Sequence, residues 1–136
     1  MLSTADLERL RLAAMTASRA AHCPYSRFTV GAALLTDDGE IFSGCNVENA
    51  SSGLTICAER VAVFKAVAAG RRSFQAIVVY TPTSTPTAPC GACRQVLAEF
   101  AQDLDVVSCC DGEEQIATSL AELLPYRFGP ETLLGS

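Results

Sequence analysis

A chain of 136 residues, 49% hydrophobic and 18% charged, is long enough to bury a core and too apolar to be intrinsically disordered. Its formal net charge of −5 opposes binding to DNA or RNA. No apolar run reaches the ~18 residues that a membrane-spanning helix needs. The sequence therefore predicts a single soluble domain over residues 1–136, with a small neutral or cationic ligand and neither a nucleic acid nor a membrane as partner.

Apolar periodicity, glycines and prolines divide the chain into alternating helices and strands. The predicted helices cover residues 4–21, 56–69, 90–100 and 119–124. The predicted strands cover residues 29–35, 40–45, 76–80 and 105–110, the first two forming a hairpin. Residues 46–54 and 81–89 are predicted loops. This order of elements predicts an α/β fold.

Cysteine usage predicts a cytoplasmic location. The chain has seven cysteines, and an odd number argues against a complete disulfide framework. The first residues also lack the basic and apolar regions of a signal peptide. Four of the cysteines are interpreted as structural residues: Cys23, Cys45, Cys109 and Cys110.

The other three cysteines form two short clusters, Cys57-Ala58-Glu59 and Pro89-Cys90-Gly91-Ala92-Cys93. Each cluster opens a predicted helix, where free N–H groups favour thiolates. Both helices follow strand–loop units, so their starts are expected to meet at one edge of the sheet. Three soft ligands suit zinc and leave a fourth position for water. The sequence predicts one Zn²⁺ per chain in an open, catalytic site.

Two charged residues next to Cys57 fit such a site. Glu59 lies two residues from a ligand and is predicted to be the general acid and base that moves protons of the water. Arg60 lies three residues from Cys57, on the same helix face. Because three thiolates with Zn²⁺ have a net charge of −1, Arg60 is predicted to offset that charge by bonding to the sulfurs.

Two alternatives for the cysteines remain open. A structural zinc site normally has four protein ligands. The candidates for a fourth are His22, Cys45, Cys109 and Cys110, and none has ligand spacing to another. The Cys90–Cys93 pair could also be a redox motif. His22 is better explained by loop packing or by a position at a helix end.

Six motifs in order resemble the small, three-cysteine, homotetrameric cytidine deaminases. They are Pro24-Tyr25-Ser26-x-Phe28, Val30-Gly31-Ala32-Ala33-Leu34, Gly44-Cys45-Asn46-Val47-Glu48-Asn49-Ala50, Cys57-Ala58-Glu59-Arg60, Pro89-Cys90-Gly91-x-Cys93-Arg94-Gln95 and Leu123-Leu124-Pro125-x-x-Phe128. The resemblance covers nearly the whole chain. It implies a three-layer α/β/α sandwich around a five-stranded mixed sheet.

The resemblance also implies an activity, the hydrolysis of cytidine and deoxycytidine to uridine and deoxyuridine plus ammonia in pyrimidine salvage. Phe28 would line the pyrimidine pocket, Asn46 and Glu48 would bind the ribose 3′-hydroxyl, and Ala58 would contact the substrate. Phe128 would pack on the base from a neighbouring subunit. A homotetramer with shared active sites is therefore the implied assembly.

Two departures from the family pattern widen the expected substrate range. The family commonly has tyrosine where this chain has Ser52, and often tyrosine where it has His22. The alternative function is therefore a related deaminase acting on a modified or N4-substituted cytidine or on a nucleoside antibiotic. A polynucleotide-editing deaminase is disfavoured by the negative charge and by the lack of an aromatic and basic stripe. A non-enzymatic zinc module would lack a labile water ligand.

Overall fold

The computed structural model describes residues 2–135, and its centre is a five-stranded mixed sheet with the strand order β2-β1-β3-β4-β5. The strands are β1 Gly31–Thr36, β2 Ile41–Cys45, β3 Phe74–Tyr80, β4 Asp105–Cys109 and β5 Ile116–Ser119. The helices are α1 Thr4–Ser18, α2 Ala58–Ala68, α3 Gly91–Phe100, α4 Leu120–Leu123 and α5 Pro130–Leu134, with a 3₁₀ turn at Ser52–Leu54. β3 and β4 are parallel, and the other neighbouring strands are antiparallel.

Alternation along β1 divides the core into two layers, one on each face of the sheet. Ala32 and Leu34 pack with α2 and α3, whereas Ala33 and Leu35 pack with α1. Side chains on both faces are fully buried, which explains why residues 31–35 are apolar without interruption. The predicted three-layer α/β/α sandwich is confirmed.

Capping explains two helix boundaries. The Ser3 hydroxyl accepts a hydrogen bond from the Asp6 N–H at 3.1 Å, as expected for an N-cap. At the end of α2, Gly70 has φ of +86°, and the next N–H bonds back to the Ala66 carbonyl at 2.9 Å. A glycine adopts this left-handed conformation without strain. This glycine therefore follows the end of α2, close to the predicted helix end at residue 69.

Helix α1 is shorter than predicted and ends at Ser18 instead of residue 21. The N–H groups of Arg19 and Ala20 bond to carbonyls three residues back, which tightens the last turn. His22 then pairs with the chain around Val47, its N–H donating to the Asn46 carbonyl at 3.0 Å. This long-range pairing outweighs the local helical periodicity.

The sequence predicted neither the strand β5 nor the helix α5. β5 is a short strand that pairs antiparallel with β4 and has no buried residue, so it lacks an apolar signal. Residues 119–124 were predicted as helix, but Ser119 ends β5 and also caps the single turn α4. The terminal helix α5 begins at Pro130 and likewise buries no residue.

Gly44 allows α2 to pack directly on β2. A Cβ atom at this position would lie 2.6 Å from the Ala58 carbonyl oxygen and 2.6 Å from the Ala62 nitrogen. Only glycine permits this approach, because real Cβ atoms do not come so close to backbone. The start of α2, with Cys57 as its N-cap, is thereby held against the sheet.

Within residues 2–135, none of the helices combines the length and the apolar character needed to cross a membrane. The prediction of one domain over 1–136 includes residues 1 and 136, which lie outside the described residues. That prediction stays a prediction.

Candidate active site

Three cysteine sulfurs meet where α2 and α3 begin. Cys57 is the N-cap of α2, Cys90 is the N-cap of α3, and Cys93 lies in the first turn of α3. The three sulfurs all lie within 4.8 Å of one another. The Cys57 and Cys90 sulfurs are 3.9 Å apart, and those of Cys90 and Cys93 are 3.5 Å apart. The structure thus brings together the three residues predicted to bind metal.

The donor set fits a zinc ion with an open position. Among residues 2–135, the group of possible ligands consists of these three cysteines alone. Cys109 and Cys110 are buried elsewhere, with their sulfurs against the carbonyls of Val79 and Glu114. The described residues therefore form no four-ligand structural zinc site. A redox motif would need only two cysteines and would leave the position of the third without explanation.

Arg60 supplies positive charge to the cluster. Its Nη2 donates to the Cys57 sulfur at 3.3 Å. Hydrogen bonds from the Cys93 thiol and Arg60 lower the pKa of Cys57 to about 5, while the pKa of Cys93, which bonds to Cys57, is raised. In the described part of the chain, Arg60 Nε is buried and has no hydrogen-bond partner. A buried donor without a partner is destabilising, so Arg60 carries one unsatisfied group at this position.

Glu59 is a buried carboxyl beside the cluster. Its exposed fraction is 5%, and burial, together with the negative charge of Cys57, raises its pKa above the ordinary value. A carboxyl whose pKa is raised toward the working pH can both accept and return a proton. Its environment therefore suits proton transfer.

A cavity of about 260 Å³ opens onto Glu59 and two of the three cysteines, Cys57 and Cys90. Most of the predicted site residues line it, namely Phe28, Asn46, Glu48, Cys57, Ala58, Glu59 and Cys90. Cys93 and Arg60 do not line it, although Cys93 belongs to the cysteine cluster and Arg60 contacts Cys57. A larger and more open cavity of about 620 Å³ lies between α3 and α5, but none of the predicted site residues lines it.

Phe128 lies outside the 260 Å³ pocket of its own chain. Its side chain is 57% exposed. Its backbone carbonyl accepts a hydrogen bond at 2.6 Å from Nε2 of Gln95, a residue of α3. Ser52 is exposed at the start of the 3₁₀ turn and does not line the pocket. His22 is also exposed, and its backbone is paired with residues 46–48.

Several pocket residues were missed by sequence reasoning. They are Ser26, Val30, Thr55, Val79, Thr81, Thr87 and Ala88. Ser26 and Val30 lie within two of the six sequence motifs, so these motifs indicate both positions. The others come from the end of β3 and from the loops before Cys57 and Pro89, and only the packed chain shows that these segments converge.

Arg94 is a further residue whose role the sequence did not reveal. Its Nε donates to the Pro89 carbonyl at 2.8 Å, and its Nη1 donates to the Leu123 carbonyl at 3.1 Å. These bonds hold the turn that leads into Cys90 and tie it to the C-terminal segment.

Comparison with known proteins decides the family. Residues 4–110 match the family described as cytidine and deoxycytidylate deaminase zinc-binding region. The chain belongs to this family. The sequence-based predictions of the family, of a deaminase enzyme and of a zinc cofactor are thereby confirmed.

Individual relatives agree over nearly the full chain. A cytidine deaminase of Sporosarcina psychrophila is 48% identical over 94% of this chain and 95% of its own. The crystal structure of cytidine deaminase from Burkholderia pseudomallei is 49% identical, with a TM-score of 0.86 over 93% of this chain and 100% of that one. A blasticidin-S deaminase of Bacillus cereus is 35% identical over 73% of this chain and 76% of its own.

Proposed function

We propose that this chain catalyses the hydrolytic deamination of cytidine and deoxycytidine to uridine and deoxyuridine, with release of ammonia. The observation that carries this proposal is the buried carboxyl of Glu59 beside three clustered cysteine sulfurs, in the lining of a pocket of about 260 Å³. The relatives named cytidine deaminase support the choice of substrate.

Cys57, Cys90 and Cys93 are the proposed zinc ligands, with Arg60 balancing their charge. Bound zinc would supply a water molecule whose pKa falls from 15.7 toward ~7, so that it is a nucleophile at neutral pH. Glu59, Cys57 and Cys90 line the same cavity, which supports the proposal that the base of the substrate lies there.

Glu59 is the proposed proton carrier. It accepts a proton from the attacking water and delivers it to N3 of cytosine, which makes C4 electrophilic. It then delivers the second proton of that water to the departing amine, so that water and cytidine yield uridine and ammonia. One carboxyl serves both transfers because they occur in sequence.

The remaining pocket residues are proposed to hold the nucleoside. Phe28 packs on the base, Ala58 contacts the substrate, and Asn46 and Glu48 bind the sugar. Among the described residues that line the pocket there is neither lysine nor arginine, whereas Glu48 and Glu59 are both acidic. Because like charges repel, this wall favours a nucleoside over a phosphorylated nucleotide.

The direct test is the loss of cytidine absorbance with the purified, zinc-loaded protein, extended to deoxycytidine, deoxycytidine monophosphate and blasticidin S. Uridine and ammonia should appear in equal amounts. The second candidate function, a deaminase for a modified cytidine or a nucleoside antibiotic, is favoured by the blasticidin-S deaminase relative. Turnover of blasticidin S without turnover of cytidine would favour it. The cytoplasmic location stays a prediction.

The proposed assembly is a homotetramer in which Phe128 completes the site of a neighbouring subunit. An aromatic ring that is 57% exposed and lies outside its own pocket supports this assignment. Phe128→Ala is expected to raise KM for cytidine roughly tenfold or more, because base–aromatic stacking is worth ~1–3 kcal/mol. An active monomer in sedimentation at assay concentration would contradict the shared site.

Mixed oligomers provide a second test of whether Phe128 serves a neighbouring subunit. Co-expression of Phe128→Ala chains with Glu59→Gln chains pairs an intact Glu59 in one subunit with an intact Phe128 in the other. Activity above that of either parent variant is the expected result. If Phe128 instead served its own subunit, the mixed oligomers would show only the average of the two parents.

Although Ser52 does not line the pocket of its own chain, it lies three residues from Thr55, which does, and it is proposed to widen the choice of substrate near the sugar or the N4 group. A tyrosine there would add volume and a phenolic hydroxyl, whereas serine leaves room for water. Ser52→Tyr is therefore expected to increase kcat/KM for cytidine relative to that for a bulkier N4-substituted cytidine. Ser51→Tyr, at the neighbouring exposed position, is the control. An unchanged ratio would mean that Ser52 does not shape selectivity.

A further inference from the structure

The loop of residues 23–28 carries Phe28 to the pocket without regular secondary structure of its own. One backbone bond closes it, from the Arg27 N–H to the Cys23 carbonyl at 2.9 Å. Arg27 has φ of +58°, a left-handed conformation that residues other than glycine rarely adopt. Such a backbone persists only where neighbouring bonds hold it in place.

The Glu48 carboxylate holds one side of this loop. Its Oε1 accepts hydrogen bonds from the N–H groups of Tyr25 at 3.1 Å and Ser26 at 3.2 Å. Its Oε2 accepts a hydrogen bond from the Ser26 hydroxyl. The bond from this hydroxyl is the main cause that lowers the pKa of Glu48, so the group is a carboxylate at neutral pH.

The same serine hydroxyl also contacts the backbone of Phe28. While it donates to Glu48, Ser26 Oγ accepts a hydrogen bond from the Phe28 N–H at 3.0 Å. On the other side, Asn46 Nδ2 donates to the Phe28 carbonyl at 2.8 Å, and Asn46 Oδ1 accepts from the Val30 N–H at 2.9 Å. Both polar groups of the Phe28 residue backbone are therefore held, one through Ser26 and one through Asn46.

We propose that Ser26 is a positioning residue for the deamination: its hydroxyl joins the Glu48 carboxylate to the Phe28 backbone, so that the sugar-binding carboxylate and the base-packing ring are oriented as one unit. This inference rests on the proposed function. It explains why Arg27 keeps a left-handed backbone between two residues that share one hydrogen-bond network. Ser26 acts through Glu48 and Phe28, and the protons are moved elsewhere, by Glu59.

The test compares Ser26→Ala with Ser26→Thr. The alanine variant loses both hydroxyl bonds, and KM for cytidine is expected to rise roughly tenfold, because a bond to a charged group is lost. Its kcat is expected to stay within about threefold of the wild type, since the proton-transfer group is untouched. The threonine variant keeps the hydroxyl and is expected to restore KM to within about twofold. Ser73→Ala is the matched control, because Ser73 is an exposed serine that immediately precedes the first residue of β3.

A double-mutant cycle separates positioning from simple loop stability. If Ser26 works through Glu48, Ser26→Ala and Glu48→Gln together should raise KM by much less than the product of their separate effects. Ser26→Ala combined with Ser73→Ala should show only the effect of Ser26→Ala. Thermal unfolding of each variant records how much stability is lost. If the alanine variant does not fold, Ser26→Cys replaces it, and its weak thiol donor should give an intermediate rise in KM.

A wild-type KM in Ser26→Ala or Ser26→Cys would overturn the inference. So would a threonine variant as impaired as the alanine variant, or single effects that simply multiply in the double variant. Failure of the wild-type protein to deaminate cytidine or deoxycytidine would instead refute the proposed function, whatever the Ser26 variants do.

Discussion

Glu59→Gln is expected to lower kcat for cytidine by ~10²–10⁴-fold, the range over which general acid–base groups contribute. The amide has the shape of the carboxyl and fills the same buried position, but it can neither accept nor return a proton. The carboxyl that it replaces is 5% exposed, and its pKa is raised by burial. The measurement is steady-state turnover of zinc-loaded protein, with zinc content determined on the same sample.

The control for this variant is Glu99→Gln, an exposed glutamate on α3. It removes the same charge from the chain at a position outside the pocket, and its kcat should equal that of the wild type. Glu59→Gln should also keep its zinc and its unfolding temperature, because no sulfur is altered. Near-normal kcat in the zinc-loaded Glu59→Gln variant would show that another group moves the protons.

Cys90→Ala is expected to abolish tight zinc binding and, with it, turnover. The change leaves two thiolates at a site where three sulfurs lie within 4.8 Å, and no fourth cysteine, histidine or carboxylate joins that group among residues 2–135. Loss of a ligand should weaken binding by more than the ~10–100-fold that loss of a supporting group costs. Metal analysis after dialysis measures zinc per chain directly, independently of activity.

Cys23→Ala is the matched control, because Cys23 is a half-buried cysteine outside the cluster. Chelation followed by added zinc should restore the wild type and Cys23→Ala, but not Cys90→Ala. Cys90 is exposed at the start of α3, so the variant should still fold. Full zinc retention by Cys90→Ala would refute the assignment of the ligands.

Part of the site was predictable because its residues are close together in the sequence. Cys90 and Cys93 are one helical turn apart, and Cys57, Glu59 and Arg60 lie within four consecutive positions. Their relative placement follows from helix geometry once a helix begins at each cluster. That the two clusters meet was an inference from strand–loop–helix order, and the sulfur distances agree with it.

The strand β5, which the sequence did not predict, lacks the alternation of apolar and polar residues that is typical of a half-buried strand. β5 buries none of its residues and is a strand because its backbone pairs with β4, a contact between residues distant in sequence. α1 stops at Ser18 because His22 pairs with Val47, although alanines continue the helical spacing to residue 21. Where backbone pairing competes with local propensity, the long-range partner decides.

The sequence alone determined the family, the α/β class and the chemistry of the zinc cluster, because these depend on residue types at fixed short spacings. Only the tertiary structure decided the walls of the pocket, where Thr55 from one loop meets Thr81 and Ala88 from another. It also decided that Ser26 contacts both Glu48 and Phe28, and that Phe128 lies outside its own pocket. Such contacts depend on how the sheet and its loops pack in space, which no local spacing encodes.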